Sequence, residues 1–222
     1  ASGRVPSTVS IFMRNSFVCA PAKKRVLFFS MSAACQKNSV NTSLPKLDIP
    51  ESVQKRRAVL LGAPLDPLSM RESMALIARA MREKKALQHV VVNVAKLVHM
   101  QEDAALYQDV ASSDLINIDG MGVVLGCRLL GISVPERVAG IDLMDAILAL
   151  CAKEGFRPYI LGAKPEILAK ARANIEAKYP GIRFAGMQDG YYDKATEADV
   201  IDAIAQSGAD CLFIAMPSPH KE

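Results

Sequence analysis

Three positions along the chain have residues suited to substrate chemistry directly after short apolar runs. Asn93, Asp119 and Gly162 each follow a four-residue run that is mostly apolar. If these runs are parallel strands of an α/β sheet, their carboxyl ends meet at one edge, where ligands of such sheets bind. The spacing therefore predicts a common cleft lined by these three positions.

Asp119 is the strongest candidate for a catalytic group. A carboxylate held beside the flexible Gly120 can face a cleft and take a proton from a substrate hydroxyl. An Asp at this place can equally be the N-cap of a helix that begins at Met121. The spacing alone leaves both interpretations open, and Gly120 with Gly122 is too short a pattern to indicate a dinucleotide site.

Arg137 is a candidate phosphate ligand, because its planar guanidinium matches phosphate oxygens and keeps its charge. A surface ion pair with Glu136 or Asp142 is the alternative. In that case Gly140 is no more than the entry to the next helix.

Gly162 lies between a predicted strand and a predicted helix, where free backbone N–H groups favour an anion. Tight packing at the turn would require the same glycine. Further along, the aromatic pair Tyr191 and Tyr192 follows Asp189-Gly190. It predicts either stacking on a base or sugar ring, or a turn that covers the sheet edge.

Short β-rich runs alternate with amphipathic helical stretches from about residue 57 onwards, which predicts an α/β, Rossmann-like layered fold with a mainly parallel sheet flanked by helices. The predicted strands are 58–61, 89–93, 115–118, 158–161, 182–185 and 211–215. The predicted helices are 69–84, 95–100, 103–111, 121–130, 143–154, 165–178 and 197–206. The apolar stripe formed by Met70, Met74, Ile77 and Met81 indicates a core face rather than a ligand site.

Residues 1–56 lack a sustained helical or strand period, so we expect a disordered leader followed by one domain over residues 57–222. The formal net charge of +4 is spread over the sequence without long basic blocks, which argues against nucleic acid as a partner. No apolar run approaches the length of a membrane span, so we expect any membrane contact to be peripheral. The scattered histidines and cysteines predict no metal site, and we expect no cofactor.

Several short motifs occur together in a fixed order: Val92-Asn93, Asp119-Gly120, Pro-Glu-Arg-Val-Ala-Gly at 135–140, Leu161-Gly162, Tyr-Pro-Gly at 179–181, Asp-Gly-Tyr-Tyr at 189–192, and Pro-Ser-Pro-His-Lys-Glu at 217–222. Over residues 57–222 this set resembles the WecG/TagA/CpsF family of glycosyltransferases.

The resemblance implies transfer of a sugar, N-acetylmannosamine or a similar hexose, from a UDP-sugar to an undecaprenyl-diphosphate-linked sugar. Such reactions serve the synthesis of teichoic acid and other cell-surface polysaccharides. Members of the family are inverting, need no metal, and act at the cytoplasmic face of the plasma membrane. The resemblance leaves the oligomeric state open, either monomer or homo-oligomer.

Carried over by position, the resemblance makes Asp119 the general base, with Asn93 and Arg137 in the pocket. The further substrate-binding candidates are Gly120, Gly140, Gly162, Lys221 and Glu222. The chemistry agrees, since inverting transfer needs one base and a positive environment for the departing diphosphate.

The sequence departs from the family pattern at three places. Val91 stands where many members have threonine, and Lys221 stands where glutamine is usual. The sequence stops at Glu222, whereas the family continues with a helix and a basic tail that contacts the membrane. We therefore expect a C-terminally truncated enzyme.

Two other functions remain as alternatives at this point. A catalytically silent sugar-nucleotide-binding module would have the same fold. An NAD-dependent oxidoreductase would also suit a layered α/β sheet, but the chain lacks the complete glycine-rich turn after the first strand.

Overall fold

The computed structural model of the protein describes the backbone of residues 10–13, residues 45–193 and residues 195–216. The strands are β1 (Ser10–Met13), β2 (Ala58–Leu60), β3 (Ala63–Leu65), β4 (Gln88–Val92), β5 (Leu115–Ile118), β6 (Pro158–Gly162), β7 (Gly186–Gln188) and β8 (Cys211–Ala215). Six of them form one sheet in the order β5-β4-β1-β8-β6-β7, and β2 and β3 form a separate hairpin.

The helices alternate with the strands along the chain. They are α1 (Glu51–Gln54), α2 (Met70–Glu83), α3 (Val94–Glu102), α4 (Ala104–Ala111), α5 (Met121–Leu129), α6 (Gly140–Glu154), α7 (Pro165–Lys178) and α8 (Glu197–Gln206). Pairing is parallel between β4 and β5 and throughout β8-β6-β7. The predicted layered α/β fold with a mainly parallel sheet is therefore confirmed.

Strand β1 is the exception to the parallel arrangement. It lies between β4 and β8 and pairs with both in the antiparallel direction, with Ile11 opposite His89 and Phe213. Residues 1–56 also contribute to the fold near their C-terminal end, where the side chain of Leu47 is buried in the core. Both observations differ from the expectation that residues 1–56 form a disordered leader, since removing β1 would break the ladder between β4 and β8.

The strand predicted at residues 182–185 is wrong, because the pairing with β6 begins only at Gly186, opposite Tyr159. Ile182 instead lies in a turn after α7, where its amide donates to the Tyr179 carbonyl and its side chain is buried in the core. Its apolar character therefore reflects burial in a turn. A Cβ built on Gly186 would lie 2.4 Å from the ring of Tyr159, so the strand begins at a residue that leaves room for that ring.

The methionine stripe on α2 packs into the core as predicted. Ile77 and Met81 are buried, and Met70 and Met74 pack against the same cluster from its edge. The helix begins with a capping box in which Ser69 and Glu72 satisfy each other's backbone N–H groups. Helix α2 packs against α6 on one face of the sheet.

A buried polar chain lies beneath α2. The Asn117 side-chain amide donates to the Ser73 hydroxyl over 3.0 Å, and the Asn117 oxygen lies 2.9 Å from Nε2 of His89. Burial lowers the pKa of His89 to about 4, against the weaker opposing effect of the Asn117 hydrogen bond. His89 is therefore a neutral core residue at physiological pH.

The β2–β3 hairpin is joined to the main sheet by Asp66 rather than by a strand ladder. The buried Asp66 carboxylate accepts two hydrogen bonds of 2.8 Å from Arg57 and one of 2.8 Å from the Ile116 amide. The Asp66 amide in turn donates to the Ile116 carbonyl over 2.7 Å. These bonds dock the hairpin beside β5, which is an edge strand of the sheet.

Candidate active site

The carboxyl ends of β4 and β5 place Asn93 and Asp119 side by side. The two strands pair from His89 opposite Leu115 to Val92 opposite Ile118. The ladder continues one step further, since the Asp119 amide donates to the Val92 carbonyl over 2.9 Å. The structure thus brings together two of the predicted site residues.

Asp119 does not cap the helix that follows it. The N-cap position of α5 is occupied by Gly120, which has a φ of +104° and has no side chain with which to cap. The Asp119 carboxylate is directed towards α6 instead, and its Oδ2 atom lies 3.4 Å from the backbone N of Gly140 at the start of that helix. The N-cap interpretation for α5 is therefore wrong.

Asn93 has the capping role at the neighbouring helix. Its side-chain oxygen accepts a hydrogen bond of 2.9 Å from the Lys96 amide in the first turn of α3. This bond fixes the orientation of the Asn93 amide group. Because a side-chain amide has two N–H donors in addition to its oxygen, Asn93 can cap α3 and still donate to a ligand.

Arg137 lies beside Asp119, not beside the acidic partners that sequence reasoning considered. Its Nη1 atom is 3.8 Å from Oδ1 of Asp119. Glu136 is engaged elsewhere, since it accepts a hydrogen bond of 2.8 Å from the Met70 amide at the start of α2. The Val138 amide donates to the Ile118 carbonyl over 2.9 Å, and this bond positions the segment beside the end of β5.

The environment of Asp119 favours its protonated form. Burial raises the pKa of the Asp119 carboxyl, and the nearby Asp142 raises it further, while the hydrogen bond from Gly140 and the charge of Arg137 lower it. The side chain is 13% exposed, and that of Arg137 is 43% exposed. A carboxylate of raised pKa next to an accessible cation is suited to accepting a proton beside an anionic ligand.

Gly162 lies at the same edge of the sheet but three strand positions away from Asn93. That separation amounts to about 14 Å at the usual spacing of 4.7–4.9 Å between strands. Gly162 has a φ of +124°, and a Cβ built on it would lie 2.4 Å from the Ala215 carbonyl oxygen. The structure thus gives this glycine a packing reason, which was one of the two predicted explanations.

Sequence reasoning missed a cavity of about 320 Å³ on the far side of Gly162, between α7 and β7. It is lined by Pro165, Leu168, Ala169, Arg172, Met187, Gln188 and Asp189. Of these residues the sequence had drawn attention only to Asp189. Arg172 carried no signal, because it lies on a helix as one of many charged residues, and it pairs there with Glu176 over 2.8 Å.

The aromatic pair near this cavity divides between two roles. Tyr191 is 70% exposed, whereas Tyr192 packs against the core cluster around β6 and β8. Gly190 lies in contact with Gly162, since a Cβ built on it would be 3.1 Å from the Gly162 Cα atom. The two remaining predicted site residues, Lys221 and Glu222, lie outside the described residues.

Residues 58–222 match the Glycosyl transferase WecG/TagA/CpsF family. The chain belongs to this family. It is also similar to the N-acetylglucosaminyldiphosphoundecaprenol N-acetyl-beta-D-mannosaminyltransferase of Bacillus subtilis (strain 168), with 33% identity over 121 residues. The similarity covers 54% of this chain and 46% of the relative, so the chain matches about half the length of that curated protein.

Two features are absent from the part of the chain that the structure describes. Within residues 45–193 and 195–216, no helix has both the length and the apolar character needed to cross a bilayer. Over the same part of the chain, no three His, Cys, Asp or Glu side chains are grouped so that they could hold a metal ion.

Proposed function

We propose that this member of the WecG/TagA/CpsF family transfers N-acetylmannosamine or a similar hexose from a UDP-sugar to a polyprenyl-diphosphate-linked sugar, with inversion and without a metal ion. The observation that carries the proposal is the largely buried Asp119 carboxylate between Arg137 and the first turn of α6. The name of the Bacillus subtilis relative supports the acceptor and the sugar.

In the proposed reaction, Asp119 accepts the proton of an acceptor hydroxyl. The hydroxyl oxygen forms a bond to the anomeric carbon of the donor on the face opposite UDP, and the bond between that carbon and the UDP oxygen breaks. Because one displacement takes place, the anomeric configuration is inverted. The raised pKa of Asp119 improves it as a base, provided that it is ionised before the acceptor arrives.

The departing UDP takes away the bonding electron pair, so its diphosphate gains negative charge. Arg137 is the described cation nearest to Asp119 and can stabilise that charge. The first turns of α3 and α5 begin at Asn93 and Gly120, where backbone N–H groups also favour an anion. These groups support a mechanism in which protein residues supply the positive environment.

We propose that UDP binds along the sheet edge from Asn93 towards the Gly162 turn. A span of about 14 Å between these positions suits an extended nucleoside diphosphate. Gly120 and Gly140 would contribute backbone contacts. Lys221 and Glu222, which follow β8, remain proposed ligands of the sugar.

The proposed acceptor is bound to a lipid, so we place the reaction at the cytoplasmic face of the plasma membrane. Homo-oligomer formation and a membrane contact through a basic tail are further parts of this proposal. The relative's name supports a lipid-linked acceptor only.

Isothermal calorimetry with UDP and with NAD tests the class of ligand. Binding of UDP without binding of NAD is expected, and the reverse would favour an oxidoreductase. Transfer assays with UDP-N-acetylmannosamine and a lipid-diphosphate acceptor analogue then separate an enzyme from a silent module. UDP binding with no transfer, in this chain and in a version extended by the family's C-terminal tail, would show that the chain is a binding module.

A further inference from the structure

An exposed apolar surface starts at the candidate active site and continues along α3 and α5. Its eight side chains, which we call the α3–α5 face, are each between 49% and 78% exposed. They are Val59, Leu61, Val94, Val98, Met121, Leu125, Leu129 and Leu130.

These side chains form one surface because the two helices touch. A Cβ built on Gly122 of α5 would lie 2.6 Å from the Val94 side chain of α3. Met121, Leu125 and Leu129 recur at four-residue intervals, so they follow one face of α5, and Val94 and Val98 do the same on α3.

The β2–β3 hairpin closes the far end of this surface. The Gln101 side chain at the end of α3 donates a hydrogen bond of 2.9 Å to the carbonyl of Leu61. On the other side, Gly126 of α5 packs against the hairpin, since a Cβ built there would be 3.7 Å from Leu60. Leu60 is buried while Val59 before it in β2 is exposed, as the alternation of a strand requires, and Leu61 is exposed in the turn that follows β2.

Isolated exposed apolar residues are common, but a contiguous set of this kind indicates a surface that binds a partner or a membrane. The chemistry of the set favours a bilayer. Residues 94–98 and 121–130 contain no acidic residue, and because Lys96 is buried, the exposed charge among them is the basic Arg128. An apolar helix surface with basic and no acidic residues is typical of helices that lie at the interface of an anionic membrane.

The position of the α3–α5 face also favours a bilayer as its partner. Val94 directly follows Asn93, and Met121 follows Asp119 by two residues, so the apolar surface begins where the acceptor hydroxyl must arrive. The relative's acceptor is attached through a diphosphate to undecaprenol. A second copy of the chain on this surface would cover the approach to Asp119, whereas a bilayer would deliver the acceptor to it.

We infer that the α3–α5 face docks on the lipid bilayer and presents Asp119 to a lipid-linked acceptor whose hydrocarbon chain stays in the membrane. This inference rests on the proposed function for its choice of membrane partner. It assigns a membrane-binding surface to residues of the catalytic domain itself.

The chain contains no tryptophan, so a single introduced indole reports on one position. We would use the full 222-residue chain as Leu125→Trp and, as a matched control, Ile167→Trp, because Ile167 is an exposed apolar residue on α7 outside this surface. Vesicles of phosphatidylcholine and phosphatidylglycerol are added without any acceptor. The Leu125→Trp variant should show a blue shift and quenching by brominated lipids, and the Ile167→Trp variant should show neither.

A second measurement uses loss of binding. Leu125→Ser combined with Leu129→Ser should weaken partitioning into these vesicles by about tenfold or more, because two leucine side chains that become partly buried in the bilayer are lost. Ile167→Ser should leave partitioning unchanged. Circular dichroism melting checks that each variant is folded, which we expect because these side chains are exposed.

The outcomes separate this inference from the proposed function. Vesicle binding that depends on Leu125 and Leu129, with no sugar transfer to any acceptor, would support the surface and overturn the function. Sugar transfer to a water-soluble acceptor without vesicle binding would support the proposed function and overturn the inferred membrane surface. An indole at position 125 that is already shielded without lipid, with a concentration-dependent dimer in sedimentation, would assign the surface to a second copy and overturn the inference.

Discussion

Replacement of Asp119 by asparagine separates catalysis from structure at the candidate active site. The amide has almost the same size and can still accept the hydrogen bond from the Gly140 amide, but it cannot take a proton from the acceptor. Loss of a general base lowers a rate by about 100- to 10,000-fold, which corresponds to about 3 to 5 kcal/mol in the activation free energy. We expect this fall in kcat, with UDP affinity nearly unchanged.

The structure also sets the expected effect on stability. Because burial raises the pKa of Asp119, its contribution to folding is greatest when it is protonated and is lost as the pH rises through that pKa. The neutral amide removes this cost of ionisation at neutral pH. It also removes the ion pair with the exposed Arg137, which is worth about 0–1 kcal/mol. The variant should therefore melt at the same temperature as the parent protein or slightly higher.

The assay measures transfer from UDP-N-acetylmannosamine to a lipid-diphosphate acceptor analogue, with thermal melting of the same samples. Asp142→Asn is the matched control, because it removes a second carboxylate near Asp119, in the first turn of α6. Its kcat should change by less than about fivefold, while the acidic limb of its pH profile moves to lower pH, since Asp142 raises the pKa of Asp119. Near-normal turnover by well-folded Asp119→Asn would refute the reasoning.

Four other changes have outcomes that the structure determines. Arg137→Gln should weaken UDP binding by roughly tenfold and move the acidic limb to higher pH, because its charge lowers the pKa of Asp119; an unaltered calorimetric Kd would leave Arg137 with only its ion pair. Gly162→Ala should cost about 2 to 5 kcal/mol in urea unfolding, because the added Cβ meets a backbone carbonyl at a positive φ. Gly131→Ala, whose Cβ would have no atom within 4 Å, should cost only about 1 kcal/mol, and equal costs would contradict the packing argument. The low pKa of His89, about 4, means that stability is lost as the pH falls from about 6.5 to 4, by roughly 3 kcal/mol. His89→Gln should flatten urea unfolding over that range, and an unchanged pH dependence would exclude His89 as its cause. EDTA should leave the transfer rate unchanged, whereas a loss restored by magnesium or manganese would show that a metal takes part.

Most of the sheet could be predicted because its strands are buried on both faces and therefore appear as continuous apolar runs. The prediction for β5 matches the structure at both ends, and that for β4 differs by one residue at each end. The segment at Ile182 was predicted as a strand because a buried turn and a buried strand have the same apolar composition. The antiparallel β1 was missed because Ser10–Met13 lies in a segment without a sustained strand period, and because its pairing with β4 and β8 joins residues far apart along the chain.

The site could be predicted in part, since the carboxyl ends of parallel strands restrict where ligands bind. Asp119 and Asn93 lie together for this reason. The pairing of Arg137 with Asp119 depends on how the segment before α6 folds back onto Ile118. No local pattern encodes that contact, and the sequence therefore favoured the nearer acidic residues, Glu136 and Asp142.

Asp66 has a consequence for the solubility of the protein. Strand β5 is at the edge of the sheet, and an uncovered edge strand can pair with another molecule and begin aggregation. The Asp66 carboxylate and amide occupy the N–H and C=O groups of Ile116 on that edge, and Arg57 keeps the carboxylate in place. Substitutions at Arg57 or Asp66 are thus expected to lower the yield of soluble protein, while the molecules that do fold keep their full activity.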